Sequence, residues 1–289
     1  MTVPTPPASL ASQARAHAAA PPAWLARHEH FLLDLDGTLI RENEPMEGAA
    51  ELLRQLDGRY VVVSNNSTDT AQSLARRLAR LGLAIPAEKL VLAGQLTIDF
   101  LASARPGARL QLVAARVLRD YARRQGCVLV QERPDLVVVA LDKRFNFAKL
   151  SAAANAVARG ATLIATNADL SHPAPGNALV PETGVLLQAV AACAGVSPEL
   201  VVGKPENMLF AEGLRRLGAR PDRTLVIGDN PATDAQGAAR LGMRYLLLGR
   251  GPAADSVSPA ALLALDHAGH AHAPASETAA GMRPRLNTA

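Results

Sequence analysis

FLLDLDGTLI, Phe31 to Ile40, is the stretch on which the fold turns. Phe31 to Leu33 are apolar without a break, and the run ends in Asp34 and Asp36 before Gly37 turns the chain. Continuous apolar runs of this kind, bounded by helices, are how strands covered on both faces look. Residues i and i+2 of a strand point to one side, so two carboxylates at its carboxyl end can converge on one spot. Asp-Gly is also an ordinary turn dipeptide, and this stretch alone allows a plain strand exit. What the rest of the chain brings to the same point decides.

Working outward, AAELLRQL from Ala49 reads as a short amphipathic helix stopped by Asp57-Gly58, and Tyr60 to Val63 as a second buried strand ending in Ser64-Asn65-Asn66-Ser67. From Asp69 to Leu81, Leu74, Leu78 and Leu81 share one helical face, and Gly82 is the stop. Strand candidates continue at 90–93, 110–113, 128–130, 136–141, 162–165, 200–202, 224–227 and 245–248, with helical stretches between most of them. This alternation predicts an α/β protein with a doubly wound, Rossmann-like parallel sheet. Residues 166–183 break the rhythm with Pro173, Pro175, Gly176 and Pro181, which marks a loop of a length that is usually functional or disordered.

Composition narrows the class. The chain has 289 residues, 49% of them apolar, enough for a sizeable core. A charge of +4 rests on arginines in helical stretches, and 3% aromatics leave few platforms for bases, so no nucleic-acid partner is expected. Cys127 and Cys193 form no C-x-x-C pair and sit among apolar neighbours, which predicts buried, reduced thiols and a cytoplasmic setting. The Ala- and Pro-rich start shows no secretory pattern, and no run approaches the ~20 apolar residues of a membrane helix, so no membrane partner is expected. Residues 1–22 and 267–289 read as a disordered leader and tail, with Trp24 and Leu25 anchoring the leader's end. His267, His270 and His272 in that tail are weak metal candidates.

Four strand ends therefore carry polar residues: Asp34 with Asp36, Ser64 with Asn65, Lys204, and Asp229 with Asp234 behind it. Ligands of open parallel sheets bind outside the carboxyl ends of the strands, so these residues are expected to converge. Three carboxylates suit a hard divalent ion such as Mg²⁺. Lys204 and a Ser64-Asn65 turn at a helix N-terminus suit a phosphate.

The ordered set DLDGT at 34–38 with its leading strand, Ser64, the Lys204 of GKP, and GDNPATD at 228–234 resembles the four motifs of the haloacid dehalogenase superfamily. VVVSNNST, ALDKRFNFAKL, ATNADL and VVGKPENMLF further resemble its NagD-like branch of nucleotide, p-nitrophenyl phosphate and pyridoxal phosphate phosphatases. The resemblance runs from Phe31 to about Gly249 and implies an Mg²⁺-dependent phosphatase acting on a small-molecule phosphomonoester through an aspartyl-phosphate. It makes Asp34 the nucleophile and Asp36 the acid and then base, with Asp36 touching the metal through its carbonyl. Asp229 would be the remaining metal ligand and Asp234 would orient that site or Lys204. Ser64, Asn65 and Asn66 would meet the phosphoryl oxygens, and Lys204 would neutralise charge.

Asp34 to Ser64 leaves room for one helix and one strand, whereas Ser64 to Lys204 is far longer than one crossover needs. A second, smaller α/β module is therefore inserted there, matching the family's cap. The core is expected at 23–99 and 199–266 and the cap at 100–198. In relatives the loop corresponding to 167–183 faces the active site, so Asn167, Asp169 and His172 are substrate-contact candidates. Glu182 stands where relatives usually have glycine, and a carboxylate there, if it points inward, would disfavour strongly anionic leaving groups. The resemblance also allows a homodimer. A phosphate-binding or phosphorylatable, non-enzymatic regulator of the same fold is the alternative. A P-loop is excluded because Pro205 follows Lys204, and serine hydrolase chemistry because His172 has no G-x-S-x-G partner.

Overall fold

The computed structural model describes residues 22–174, 178–249, 254–256 and 258–265. The predicted tail with its three histidines and all of the predicted leader but Pro22 lie outside the described residues. Two five-stranded sheets organise the rest. The first runs Arg244–Leu247, Thr224–Gly228, His30–Leu33, Tyr60–Ser64, Leu90–Leu92, all parallel. The second runs Leu200–Val201, Thr162–Ala165, Leu136–Val139, Arg109–Val113, Val128–Leu129, also parallel throughout.

Alternation along the first strand explains the double winding. Phe31 and Leu33 join Leu52, Leu56, Leu74 and Leu78, from helices Ala49–Leu56 and Ala71–Arg80, on one face. Leu32, Val61 and Val63 meet Leu209, Phe210 and Leu214 of helix Asn207–Leu217 on the other. Successive strand residues point to opposite faces, so a run apolar at every position must be covered twice.

Trp24 closes the first face from below. It is 1% exposed, stands edge-on to Phe31 with ring centroids 6.0 Å apart, and donates from Nε1 to the Leu262 carbonyl at 3.2 Å. One side chain thus ties helix Ala23–Arg27 to helix Pro259–Leu263. Replacing it should leave a cavity and remove the tie between the two helices, and Trp24→Ala is expected to cost about 3–5 kcal/mol in denaturant unfolding.

Several expectations need correction. Leu200–Val201, read as a strand of the core, pairs with Thr162–Ala165 in the second sheet, with Leu200 opposite Ile164. Helix Ala93–Ala104 also lies against the second sheet: Ile98 packs with Leu118 and Tyr121, and Leu101 with Leu110, Leu136 and Ile164. The second module therefore gathers residues from both sides of the expected 100–198 span. The loop at 166–183 holds an antiparallel hairpin, Ser171–Ala174 with Ala178–Pro181, which its prolines had disguised. A smaller antiparallel hairpin, Ile40–Arg41 with Glu44–Pro45, follows the Gly37 turn. Cys127 is half-buried and Cys193 exposed rather than both buried, because Thr183, Leu187 and Val190 take the inward stripe of helix Thr183–Ala194. Among the described residues no helix is long and apolar enough to cross a membrane.

Candidate functional site

From the first strand, the core sheet is built outward in both directions, toward 60–64 and 90–92 on one side and toward 224–228 and 244–247 on the other. The crevice between His30–Leu33 and Thr224–Gly228 is thus the point where the winding reverses, and ligands of such sheets bind there. Asp34 and Asp229 are the residues that follow these two strands, and Ser64 is the last residue of the next.

Lys204 reaches the same point from the returning linker. It is 3% exposed, with Nζ 2.5 Å from Asp34 Oδ1 and 2.7 Å from Asp234 Oδ1. Its backbone is held by one side chain: Asn65 Oδ1 accepts the Lys204 N–H at 2.7 Å, and Asn65 Nδ2 donates to the Lys204 carbonyl at 3.1 Å. The same Nδ2 donates to Asp169 Oδ2 at 2.9 Å, an oxygen that also accepts Asn167 Nδ2 at 3.0 Å. Gly203 allows this close approach, since a Cβ there would stand 2.6 Å from Asn65 Oδ1 and 2.7 Å from the Asn167 Cβ. Asn65, Asn167 and Asp169 thus tie the core, the linker and the second module into one knot behind the lysine.

Asp34, Asp229 and Asp234 each offer a carboxylate oxygen within 4.8 Å of the others. Asp229 lies against Gly37, whose φ is +89° and where a Cβ would stand 2.0 Å from Asp229 Oδ2. Asp234 is fixed in the π-helical turn Pro231–Ala235, its Oδ2 accepting the Asn230 N–H at 3.1 Å. Three carboxylates against one ammonium leave the site with excess negative charge. Burial pushes the Asp34 carboxyl well above the usual range; Lys204 opposes this, while Asp234 and Asp229 add to it. Asp229 rises to about 6, through burial and then the Asp234 charge. Burial works against the charged form of Lys204, yet Asp234 and Asp34 more than reverse that and hold it protonated.

Asp34 Oδ2 is buried without any partner. An orphaned anionic oxygen beside a second carboxylate fits a hard cation, and Mg²⁺ takes few protein oxygens and keeps waters. Asp234, with both oxygens engaged, supports the set rather than completing it. Asp36 stands apart from these carboxylates. Its backbone turns back at Ile40, its side chain is reachable by solvent, and burial by the surrounding walls raises its pKa against the charges of Arg77, Lys204 and His172.

The other predicted residues are placed as follows. Ser64 is buried, and its Oγ accepts the Asn66 N–H at 3.1 Å. Asn66 Oδ1 accepts from the Thr68 and Asp69 backbones, closing its own turn. The next helix starts only at Ala71, with Thr70 as its N-cap, so the Ser64-Asn65 turn does not lie at a helix N-terminus as expected. His172 sits on the hairpin, its Nδ1 2.7 Å from Glu182 Oε1. The sequence reading missed Arg77, which bonds Asp69 at 3.1 Å and brings positive charge to Asp36, and Ser67, whose Oγ accepts the Leu141 N–H at 3.0 Å. No spacing pattern singles out either.

Comparison with known proteins agrees with this arrangement. Residues 31–128 match the family described as haloacid dehalogenase-like hydrolase, and residues 201–273 match one described as HAD-hydrolase-like. The chain is 30% identical over 227 residues to the 5'-nucleotidase YutF of Bacillus subtilis, covering 78% of this chain and 88% of that one. A solved 4-nitrophenylphosphatase from Thermotoga maritima superposes with a TM-score of 0.77 at 26% identity, over 84% of this chain and 99% of the other. The glycerol phosphate phosphatase of Mycobacterium tuberculosis, solved with magnesium, gives 0.71 at 32% identity, over 78% and 68%. With its strand-end carboxylates gathered at the reversal of the sheet and a relative matched over most of both chains, this protein belongs to the haloacid dehalogenase-like hydrolases.

Proposed function

We propose that this protein is a magnesium-dependent phosphatase of small-molecule phosphomonoesters. The observation that carries the reading is Asp34: buried at the reversal of the sheet, one oxygen on Lys204 and the other without a partner. The relatives named above, a 5'-nucleotidase, a 4-nitrophenylphosphatase and a glycerol phosphate phosphatase, share the reaction class.

Asp34 is the nucleophile, a carboxylate oxygen forming an acyl-phosphate bond as the ester bond to the leaving alcohol breaks. Asp36, with its pKa raised, can hold the proton that the leaving oxygen needs and then take one from the water that hydrolyses the aspartyl-phosphate. Lys204 keeps the Asp34 carboxylate oriented and balances charge, while Ser64 lines the phosphoryl side. Asn65 acts through Lys204, whose backbone it holds. Asp34 and Asp229 would hold Mg²⁺, which supplies the positive charge that lets a dianionic phosphate approach carboxylates. The free cysteines fit a reducing, cytoplasmic setting.

Phosphate release from p-nitrophenyl phosphate tests the reading. Turnover should require Mg²⁺, stop with a chelator and return on adding Mg²⁺ back. Without substrate, Mg²⁺ at about a hundred times its Kd should add roughly 2.7 kcal/mol of stability and raise the melting temperature. A phosphate-binding regulator would show the thermal shift and no turnover.

A further inference from the structure

The flap from Asp169 to Thr183 touches the core at both ends. At one end Asp169 accepts from Asn65; at the other Thr183 Oγ1 lies 3.2 Å from Ser67 Oγ. Its base is closed by two backbone bonds, Glu182 N–H to the Leu170 carbonyl at 2.9 Å and Gly184 N–H to the Asp169 carbonyl at 2.7 Å. Between these clamps the hairpin sets His172 opposite Val180, and its Nδ1 meets Glu182 Oε1 at 2.7 Å. The Glu182 side chain is 20% exposed and that of His172 50%.

The pair is felt inside the site. Burial raises the Glu182 pKa, the His172 bond works against it, and the charges of Asp169 and Asp36 add to the rise. The His172 charge in turn lowers Asp36. The charges of Asp169 and Asp36 act on Glu182, and that of Asp69 acts on Asp36. Against them are Arg77, Lys204 and His172, with Arg77 paired to Asp69 at 3.1 Å and Lys204 to Asp34 and Asp234. With Arg77 and Lys204 committed to other carboxylates, Glu182 adds a carboxylate where the flap meets the core. With Nδ1 taken by Glu182, Nε2 is the imidazole atom left to meet a ligand, and it suits a hydroxyl.

We infer that the His172–Glu182 pair sets the substrate class: phosphomonoesters of neutral, hydroxyl-bearing alcohols are selected over those whose leaving group carries a carboxylate or second phosphate. This rests on the phosphatase reading and specifies what that site accepts. Like charges across a partly solvated crevice are worth about tenfold in discrimination.

Glycerol 3-phosphate and 3-phosphoglycerate share a three-carbon skeleton and differ by a hydroxymethyl against a carboxylate, which makes them the test pair. The wild type should favour glycerol 3-phosphate about tenfold or more in kcat/KM, less at high salt, which screens the repulsion. Glu182→Gln, with Glu182→Gly as a second variant, should shrink that ratio about fivefold, mainly by lowering KM for 3-phosphoglycerate. A KM effect confined to the charged substrate is not what loosened packing would give. No turnover of these esters or of p-nitrophenyl phosphate with Mg²⁺ would sink the phosphatase reading and this inference together. Turnover of p-nitrophenyl phosphate with glycerol 3-phosphate not hydrolysed, with no wild-type preference between the pair, or with the ratio unchanged in both variants, would overturn the inference alone.

Discussion

Asp34→Asn is expected to abolish turnover, by about 10⁴-fold or more in kcat, while leaving a folded protein. An amide oxygen is a poor nucleophile, so the acyl-phosphate bond cannot form. The Lys204 contact survives, because an amide oxygen can still accept from Nζ where Asp34 Oδ1 now does at 2.5 Å. Stability should hold or rise, since the change removes one charge from a cluster of three carboxylates. The stabilisation by Mg²⁺ should fall, because the buried oxygen without a partner is gone. Asp36→Asn should differ in kind. It stands outside the carboxylate cluster, so with a good leaving group the first step should persist and phosphoenzyme should accumulate, seen as a burst of p-nitrophenol. Identical behaviour of the two variants at every step would contradict the division of labour between the acids.

The different placement of the two acids was only half legible in the sequence. DLDG announces two acids at a strand end, and strand alternation alone would aim both at one spot. The strand stops at Leu33, however, and the turn at Gly37 leaves Asp34 buried and Asp36 at the solvent side. Asp34, Ser64 and Asp229 could be placed because parallel strands carry their ligands at their carboxyl ends, a rule that needs no knowledge of partners. Lys204 was expected beside Asp34, where it lies, for an incomplete reason: the strand before it belongs to the other sheet, and two apolar residues such as Leu200–Val201 carry no mark of which sheet they join. Asn65 shows the same limit. Its position predicts a polar group near phosphate, but that both its polar atoms hold the Lys204 backbone depends on a linker far along the chain. The flap was hidden because prolines argue against strands, and a two-stranded hairpin tolerates them where a central strand would not.

Lys204→Met should be the most destabilising single change in the site. The side chain is 3% exposed and lies between carboxylates at 2.5 and 2.7 Å. Removing it leaves Asp34 and Asp234 buried with no cation, and stripping one partner from a buried ionic set costs about 3–5 kcal/mol. In a chain of this size that is a fall of very roughly 6–20 °C in melting temperature, at about 2–4 °C per kcal/mol. Mg²⁺ should recover part of the stability by supplying charge near Asp34, but not the activity, because nothing then holds the nucleophile's second oxygen. If the loss comes from orphaned carboxylates rather than missing methylenes, a second neutralisation should relieve it. The Lys204→Met/Asp34→Asn pair should therefore be more stable than Lys204→Met alone, by about 1–2 kcal/mol in a double-mutant cycle. A double variant as unstable as the simple sum would mean that Lys204 contributes through packing instead, and that the charge balance proposed for this site is wrong.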